Sequence, residues 1–328
     1  MRSLAQYARP FVAFVFVAAL GSPTGGCGAR TALLDDGLEE TDGDTDAPTD
    51  APLDRSAERV VPDAPFDVPA LDVVRPDVVD RTGCADASQT YVYFITADNV
   101  LSHFDPASNQ TTRIGTIRCP GVANGDNPFS MAVDRRGIAY VLLRSGTLVR
   151  VSPSTAACTA TPFQRNQQGF DVFGMGFSTD GITSRETLYV AADGRAGEVP
   201  GLGSIDVTTF RLSRVSSFVP RIEGVELTGT GDGRLFGFYK DDLNTNDSWI
   251  AEMDKGTGQV TSQDRLANLN QGSGWAFAFW GSDFYLFTAP GGAGRITRYR
   301  PADKSRVVVA NLPTSYAVGA GVSTCAPQ

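Results

Sequence analysis

The sequence predicts an all-β chain built from one repeated supersecondary unit, and three observations carry that reading. An aromatic residue recurs as Tyr93, Tyr140, Tyr189, Phe236 and Tyr285, with gaps of 47, 49, 47 and 49 residues. Each stands third in a short apolar run rich in β-branched and aromatic residues, the make-up of a half-buried strand. Glycine is abundant, at 35 of 328 residues, and few segments show the 3.6-residue periodicity of an amphipathic helix. Strand-rich periods of roughly 40 to 50 residues are the mark of β-propeller blades, so five four-stranded blades are expected.

The rest of the unit is read outward from the repeated aromatic. Upstream lies a first strand, at residues 129–133, 173–177, 225–229, 275–279 and 316–320. Four of these reach the aromatic strand through Gly- and Asp-rich turns at 134–137, 179–181, 231–233 and 281–283, which predicts hairpins. A third strand follows at 100–104, 147–151, 204–207, 249–253 and 295–299, then a polar turn such as Asp105-Pro106 or Asp254-Lys255, then a weaker fourth strand. The unit at Tyr93 lacks a first strand, whereas a spare copy of one stands at 315–322. Pairing the two closes the ring and removes two open sheet edges. The long stretch 179–203 leaves room for a divergent sixth blade.

The propeller is expected over 84–328, a length that one closed domain commonly reaches. Before it, Arg2 and Arg9 flank the start of an apolar run, 11–20, too short to span a bilayer but suited to a secretory leader. That run leads to Thr24-Gly25-Gly26-Cys27, which resembles a bacterial lipobox, although Thr24 stands where that motif prefers Leu. The resemblance implies a lipoprotein-type signal peptide over 1–26 and lipidation of Cys27. Ordinary signal-peptidase cleavage after Gly21 is the alternative.

The linker, 27–83, contains a stretch at 35–82 with fifteen Asp and Glu against four Arg, and six Pro. Such a composition cannot bury a core and predicts an extended, self-repelling tether. The chain's net charge of −9 is therefore concentrated there, and the propeller is nearly neutral. Neither segment has a basic face, which argues against nucleic acid as a partner. Asp42, Asp44, Asp46 and Asp50 imitate a calcium loop, but Ala47 and Leu53 occupy the positions where an EF-hand needs Gly and a bidentate Glu.

Beyond Cys27 there are four cysteines, an even number in an exported chain, so two disulfides are expected. Ring closure brings Cys84 beside Cys325, which leaves Cys119 to pair with Cys158. Metal binding by these cysteines lacks a Cys-x-x-Cys motif and has one histidine, His103, to draw on.

No catalytic set is legible. His103 lies inside a predicted strand with no Gly-x-Ser-x-Gly partner, and reads as a packed or surface strand residue. Asp134, Asp171, Glu223, Glu226 and Asp232 fall near inner-strand ends, where Asp also caps turns. Two features point to binding. Strand starts Phe129, Phe173, Trp275 and Tyr316 are aromatic and are expected around the channel mouth, where rings stack on sugars or grip a peptide. The same face continues as Met131, Met175, Leu227, Phe277 and Val318 opposite Gly and Ala, a pattern that also serves blade-to-blade packing. Separately, the loop at 240–247 gathers Asp241, Asp242, Asn244, Asn246 and Asp247, oxygen donors suited to Ca²⁺ or to sugar hydroxyls, or to a plain solvated turn.

An aromatic second strand, followed by Asp-Pro or Asp-Lys before the fourth, resembles the NHL, YVTN and SMP-30-like propellers. SMP-30-like lactonases hold a divalent metal at the channel mouth, but their ligands have no residue-by-residue counterparts here. The reading is a monomeric, lipid-anchored, non-enzymatic binding or scaffold module of the bacterial cell envelope. It recognises a glycan or protein and meets the membrane through its anchor alone, with no cofactor required. The alternative is a metal-dependent hydrolase or lactonase using Glu223, Asp241 or Asp242.

Overall fold

The computed structural model describes residue 84 and residues 90–194, 201–240 and 246–328. The leader, Cys27, the acidic linker and Asp241, Asp242 and Asn244 lie outside the described residues. Among the described residues, twenty strands form five antiparallel four-stranded sheets. The first blade comprises β1 (Val92–Thr96), β2 (Val100–Asp105) and β3 (Gln110–Thr116). The second holds β4 (Pro128–Val133), β5 (Ala139–Leu143), β6 (Leu148–Val151) and β7 (Cys158–Ala160). The third holds β8 (Phe173–Thr179), β9 (Glu186–Ala192), β10 (Gly201–Asp206) and β11 (Arg211–Ser217). The fourth holds β12 (Glu226–Gly229), β13 (Leu235–Lys240), β14 (Ser248–Met253) and β15 (Val260–Leu266). The fifth holds β16 (Trp275–Trp280), β17 (Asp283–Thr288), β18 (Gly294–Arg300) and β19 (Ser305–Leu312).

The last strand, β20 (Ala317–Gly321), pairs with β1 in the register Tyr93 to Gly321 and Phe94 to Ala320, and so completes the first blade with the end of the chain. Among the described residues, the stretch 179–203 adds no sixth blade: β8 pairs with β9, and β9 with β10, within the third sheet.

Local chemistry explains the turns. Between β16 and β17 the two-residue loop Gly281-Ser282 has positive φ at both positions, 59° and 66°, the mirror-image turn whose twist matches two antiparallel strands. Between third and fourth strands the repeated Asp caps the turn. Asp105 accepts from the Ala107 N–H at 2.9 Å, Asp206 from Thr208 at 2.8 Å, and Asp254 from Gly256 at 3.0 Å. The Asp-Pro and Asp-Lys signature is thus a turn device with no ligand required.

The repeated aromatics pack between blades. Tyr140 meets Phe177 of the third blade with ring centroids 5.4 Å apart, Phe236 meets Phe279 of the fifth at 5.9 Å, and Tyr285 meets Phe104 of the first at 5.3 Å. Nearer the axis, small residues let neighbouring inner strands touch. A Cβ on Gly174 would lie 2.0 Å from the Val225 carbonyl oxygen, and one on Gly319 would lie 2.6 Å from the Met131 nitrogen. The large residues Met131, Met175, Leu227, Phe277 and Val318 are all buried. Their alternation with Gly and Ala is blade packing.

The strands' far ends meet the C-terminal segment. Thr324 donates from Oγ1 to Glu186 of the third blade at 2.9 Å and accepts from Arg135 of the second at 3.4 Å. Its carbonyl oxygen lies against Gly231 of the fourth blade. The Gly281 N–H of the fifth blade donates to the Pro327 carbonyl at 2.8 Å. A segment held by four blades, and continuous with the strand that completes the remaining one, crosses this end of the axis. The Cys84–Cys325 disulfide, with Cα atoms 5.4 Å apart, pins it. Cys119 and Cys158 form the second disulfide, between the first blade's exit and the second blade's outer strand.

Candidate functional site

Opposite the crossed end, the starts of the inner strands surround a cavity of about 200 Å³. It is lined by Phe129 and Arg144 of the second blade, Glu226 of the fourth, Ser273, Gly274 and Trp275 of the fifth, and Val318 on the closing strand. Contributions from four blades place it on the propeller axis. It is smaller than the roughly 300–1,000 Å³ of pockets that hold drug-sized ligands, so it admits one small ring or a single side chain.

Two aromatic rings stand in its wall in fixed orientations. The Trp275 indole N–H donates to the Gly224 carbonyl at 3.2 Å, and the Lys240 ammonium lies 6.0 Å from the Trp275 ring centre. The Arg144 guanidinium lies 5.8 Å from the centre of the Phe129 ring. Both cations are therefore at the rim, against aromatic faces.

Glu226 is the first residue of β12 and is only 6% exposed. The Ser130 hydroxyl donates to its Oε2 at 2.7 Å, and the Ser130 oxygen in turn accepts from the Met175 N–H at 3.2 Å. Burial raises the Glu226 carboxyl well above the ordinary carboxylate range, and the negative charge of nearby, buried Asp193 adds to the rise against the opposing Ser130 bond. The other inner strands, with sequences PFSMAV, FGMGFST, WAFAFW and AVGAG, carry no ionisable side chain. Glu226 is thus the one titratable residue on the strands that line the channel.

The residues singled out from the sequence divide. Phe129 and Trp275 come together at the cavity. Phe173 does not: it is 0% exposed and packs against Phe163 and Phe170, at 5.9 and 6.4 Å between ring centres. The phenylalanines of the incoming loop cover it, so it is a core residue. Tyr316 is half-buried beside Gly274, outside the cavity lining, with its carbonyl accepting from Ala97 N–H at 3.0 Å.

In the acidic loop, Asp247 accepts from Arg265 Nε at 2.7 Å and from the Asn268 N–H at 2.8 Å, and Asn246 accepts from Asn270 at 3.1 Å. These contacts fix Asn246 and Asp247 and hold the Asp247 carboxyl below its ordinary range, the Asn268 bond most strongly. Among the described residues, no three His, Cys, Asp or Glu side chains gather as metal ligands would.

Glu223 is paired with Arg221 away from the cavity, at 2.8 Å from Nε. Asp134 caps its own hairpin, accepting from Arg136 and Ile138 N–H groups at 3.0 and 2.8 Å. Asp232 accepts from Thr230 in its turn, and Asp171 is exposed. His103 stacks edge-on against Tyr91, with centroids 4.2 Å apart, inside β2 as expected of a strand histidine.

Sequence reasoning missed Ser130, Arg144 and Lys240 altogether and set Glu226 among turn acids. A signal for Glu226 existed: once the five first strands are aligned, it is their single charged residue.

Together, fold and cavity define a five-bladed β-propeller whose central channel opens at one end. No protein-family model and no curated protein matches the sequence. Solved structures with similar architecture include a chain of the nidogen/laminin complex, with TM-score 0.47 and 11% identity over 72% of this chain and 99% of that one. TolB from Acinetobacter baumannii gives 0.41 and 16% over 70% of this chain, which spans 55% of TolB. Regucalcin, a calcium-binding protein from Agrobacterium tumefaciens, gives 0.35 and 14% over 68% and 70%. At these identities the likeness concerns the fold alone.

Proposed function

We propose that this protein is a non-enzymatic binding module of the bacterial cell envelope, anchored through Cys27, that takes a glycan or a protein side chain into the open end of its channel. One observation carries the reading: the cavity combines the oriented aromatic rings of Trp275 and Phe129 with a buried, hydrogen-bonded polar group, Glu226. Apolar walls with a few placed polar groups are how small-ligand sites achieve affinity and orientation together. The acidic, Pro-rich composition of residues 35–82 is that of a self-repelling tether and suits such an anchor.

The test is the melting temperature of the full chain against a panel of envelope glycans and envelope protein extracts, because a ligand that binds only the folded state raises it by mass action. A shift in the wild type that disappears in Trp275→Ala supports the mouth as the site. A shift of equal size in Trp275→Ala places binding elsewhere and sinks the reading.

A further inference from the structure

We infer that Glu226 works as an un-ionised carboxylic acid that donates a hydrogen bond into the cavity, and that the ligand is an uncharged saccharide with one ring face on Trp275. This rests on the proposed mouth site and names its ligand class.

The argument begins with what surrounds the carboxyl. A buried carboxylate needs several donors or a cation to offset its lost hydration. Glu226 has one donor, the Ser130 hydroxyl, on Oε2. The Ser130 oxygen also accepts from the Met175 N–H, and with the Ser130 hydroxyl donating to Oε2 the acid proton is carried on Oε1.

Among the described residues, the charged groups near the cavity are Asp193, which follows β9, Arg144 on the β5–β6 loop, and Lys240 at the end of β13. Asp193 has the same sign as an ionised Glu226 and disfavours it. Arg144 and Lys240 lie against the Phe129 and Trp275 rings, and no pairing joins either to Glu226. The strands packed beside it, β4, β8, β16 and β20, contribute neutral side chains alone. Among the described residues, the Ser130 hydroxyl is the one group that favours the anion, against burial and the Asp193 charge.

A neutral acid presents a donor and an acceptor a short distance apart, which matches adjacent hydroxyls on a sugar ring. The C–H face of the same ring suits the Trp275 indole. Cationic ligands would be repelled by Arg144 and Lys240 at the rim, while these two cations, held against the Phe129 and Trp275 rings, are the donors an anionic sugar would need, which titration with uronic-acid sugars tests. A cavity of about 200 Å³ fits one ring.

Two measurements on the full chain test this. In infrared difference spectra of wild type against Glu226→Gln at pH 7, a protonated-carboxyl C=O band present in the wild type alone is expected. A carboxylate band in its place overturns the inference outright. Calorimetric titration with neutral and with uronic-acid disaccharides then reads the ligand class. Neutral sugars should bind, with affinity falling tenfold or more as pH rises through the titration of Glu226. Glu226→Gln, which keeps a donor and an acceptor, should bind independently of pH.

Wild-type affinity that is flat with pH but lost in Trp275→Ala overturns the Glu226 role and leaves the mouth site standing. Binding of uronic-acid sugars alone overturns the ligand class. A calcium-dependent melting shift that vanishes in Glu226→Gln replaces the acid with a cation ligand and overturns both halves. No saccharide binding by any form overturns the ligand class here and the glycan reading of the mouth with it.

Discussion

Glu226 at the open end of the channel and Glu186 at the crossed end are both raised above the ordinary carboxylate range by burial, yet they are set very differently. Glu186 accepts from the Arg135 N–H at 2.8 Å and from the Thr324 hydroxyl at 2.9 Å, and the charge of nearby Asp134, which adds to the rise, is opposed by that of Arg135. Those bonds tie the second and third blades to the C-terminal segment, so this acid is part of a seam. Glu226 receives one hydroxyl and faces a second acid. A polar group with its partners supplied by the chain holds the fold together, whereas one left short of partners beside a cavity is available to a ligand.

The largest expected effect separates two aromatics that look alike in sequence. Phe173→Ala removes a fully buried ring and should cost about 3–5 kcal/mol in denaturant unfolding. Trp275→Ala removes a half-buried ring at the mouth and should cost less than half as much while abolishing ligand shifts. Equal losses would erase the distinction between core and mouth.

The double variant Cys84→Ser, Cys325→Ser should cost about 2–5 kcal/mol, because that disulfide closes a loop of 241 residues. Cys119→Ser, Cys158→Ser, with a separation of 39, should cost less. Ligand binding at the open end should survive loss of the Cys84–Cys325 bond, since the two ends share no side chain. If affinity fell as far as stability, the channel ends would be coupled.

The smallest effect is the sharpest probe of the two acids. A raised acid stabilises the fold fully below its ordinary titration range, and that stability declines as pH rises through the raised value. Glu226→Gln should therefore match wild type near pH 4 and exceed its stability at pH 8 by on the order of 1 kcal/mol. Glu186→Gln should instead be destabilising at pH 8, where the ionised carboxylate accepts both bonds, because the amide replaces one acceptor of a satisfied pair with a donor. Identical pH profiles for the two variants would mean that the ends of the channel do not differ as described.

Much of the fold was legible because a propeller repeats its local physics. Gly-Asp hairpin turns, Asp-capped turns before fourth strands and aromatics at the blade interfaces all recur with one period, so each copy reinforces the reading of the others. Strand bounds shifted by a residue or so, as at Val225 and Tyr316, which lie just before β12 and β20. The disulfides were legible because ring closure is topological: once β20 pairs with β1, Cys84 and Cys325 are forced together.

The site was half legible. That first strands begin at the mouth followed from the repeat, which gave Phe129 and Trp275, but whether a given aromatic faces the axis or a neighbouring blade depends on what covers it. Phe173 is covered by Phe163 and Phe170 from a loop with no repeat counterpart. The hydrogen bond from Ser130 to Glu226 spans 96 residues and two blades, and no local pattern encodes it. The sequence by itself determined the repeated blade, the closure and the cysteine pairs, because these follow from periodicity and chain order, whereas the fold decided that 179–203 belongs to the third blade and makes no sixth. Tertiary structure alone decided which end of the channel stays open and which acid is left short of partners, because burial and proximity around an axis belong to all five blades at once.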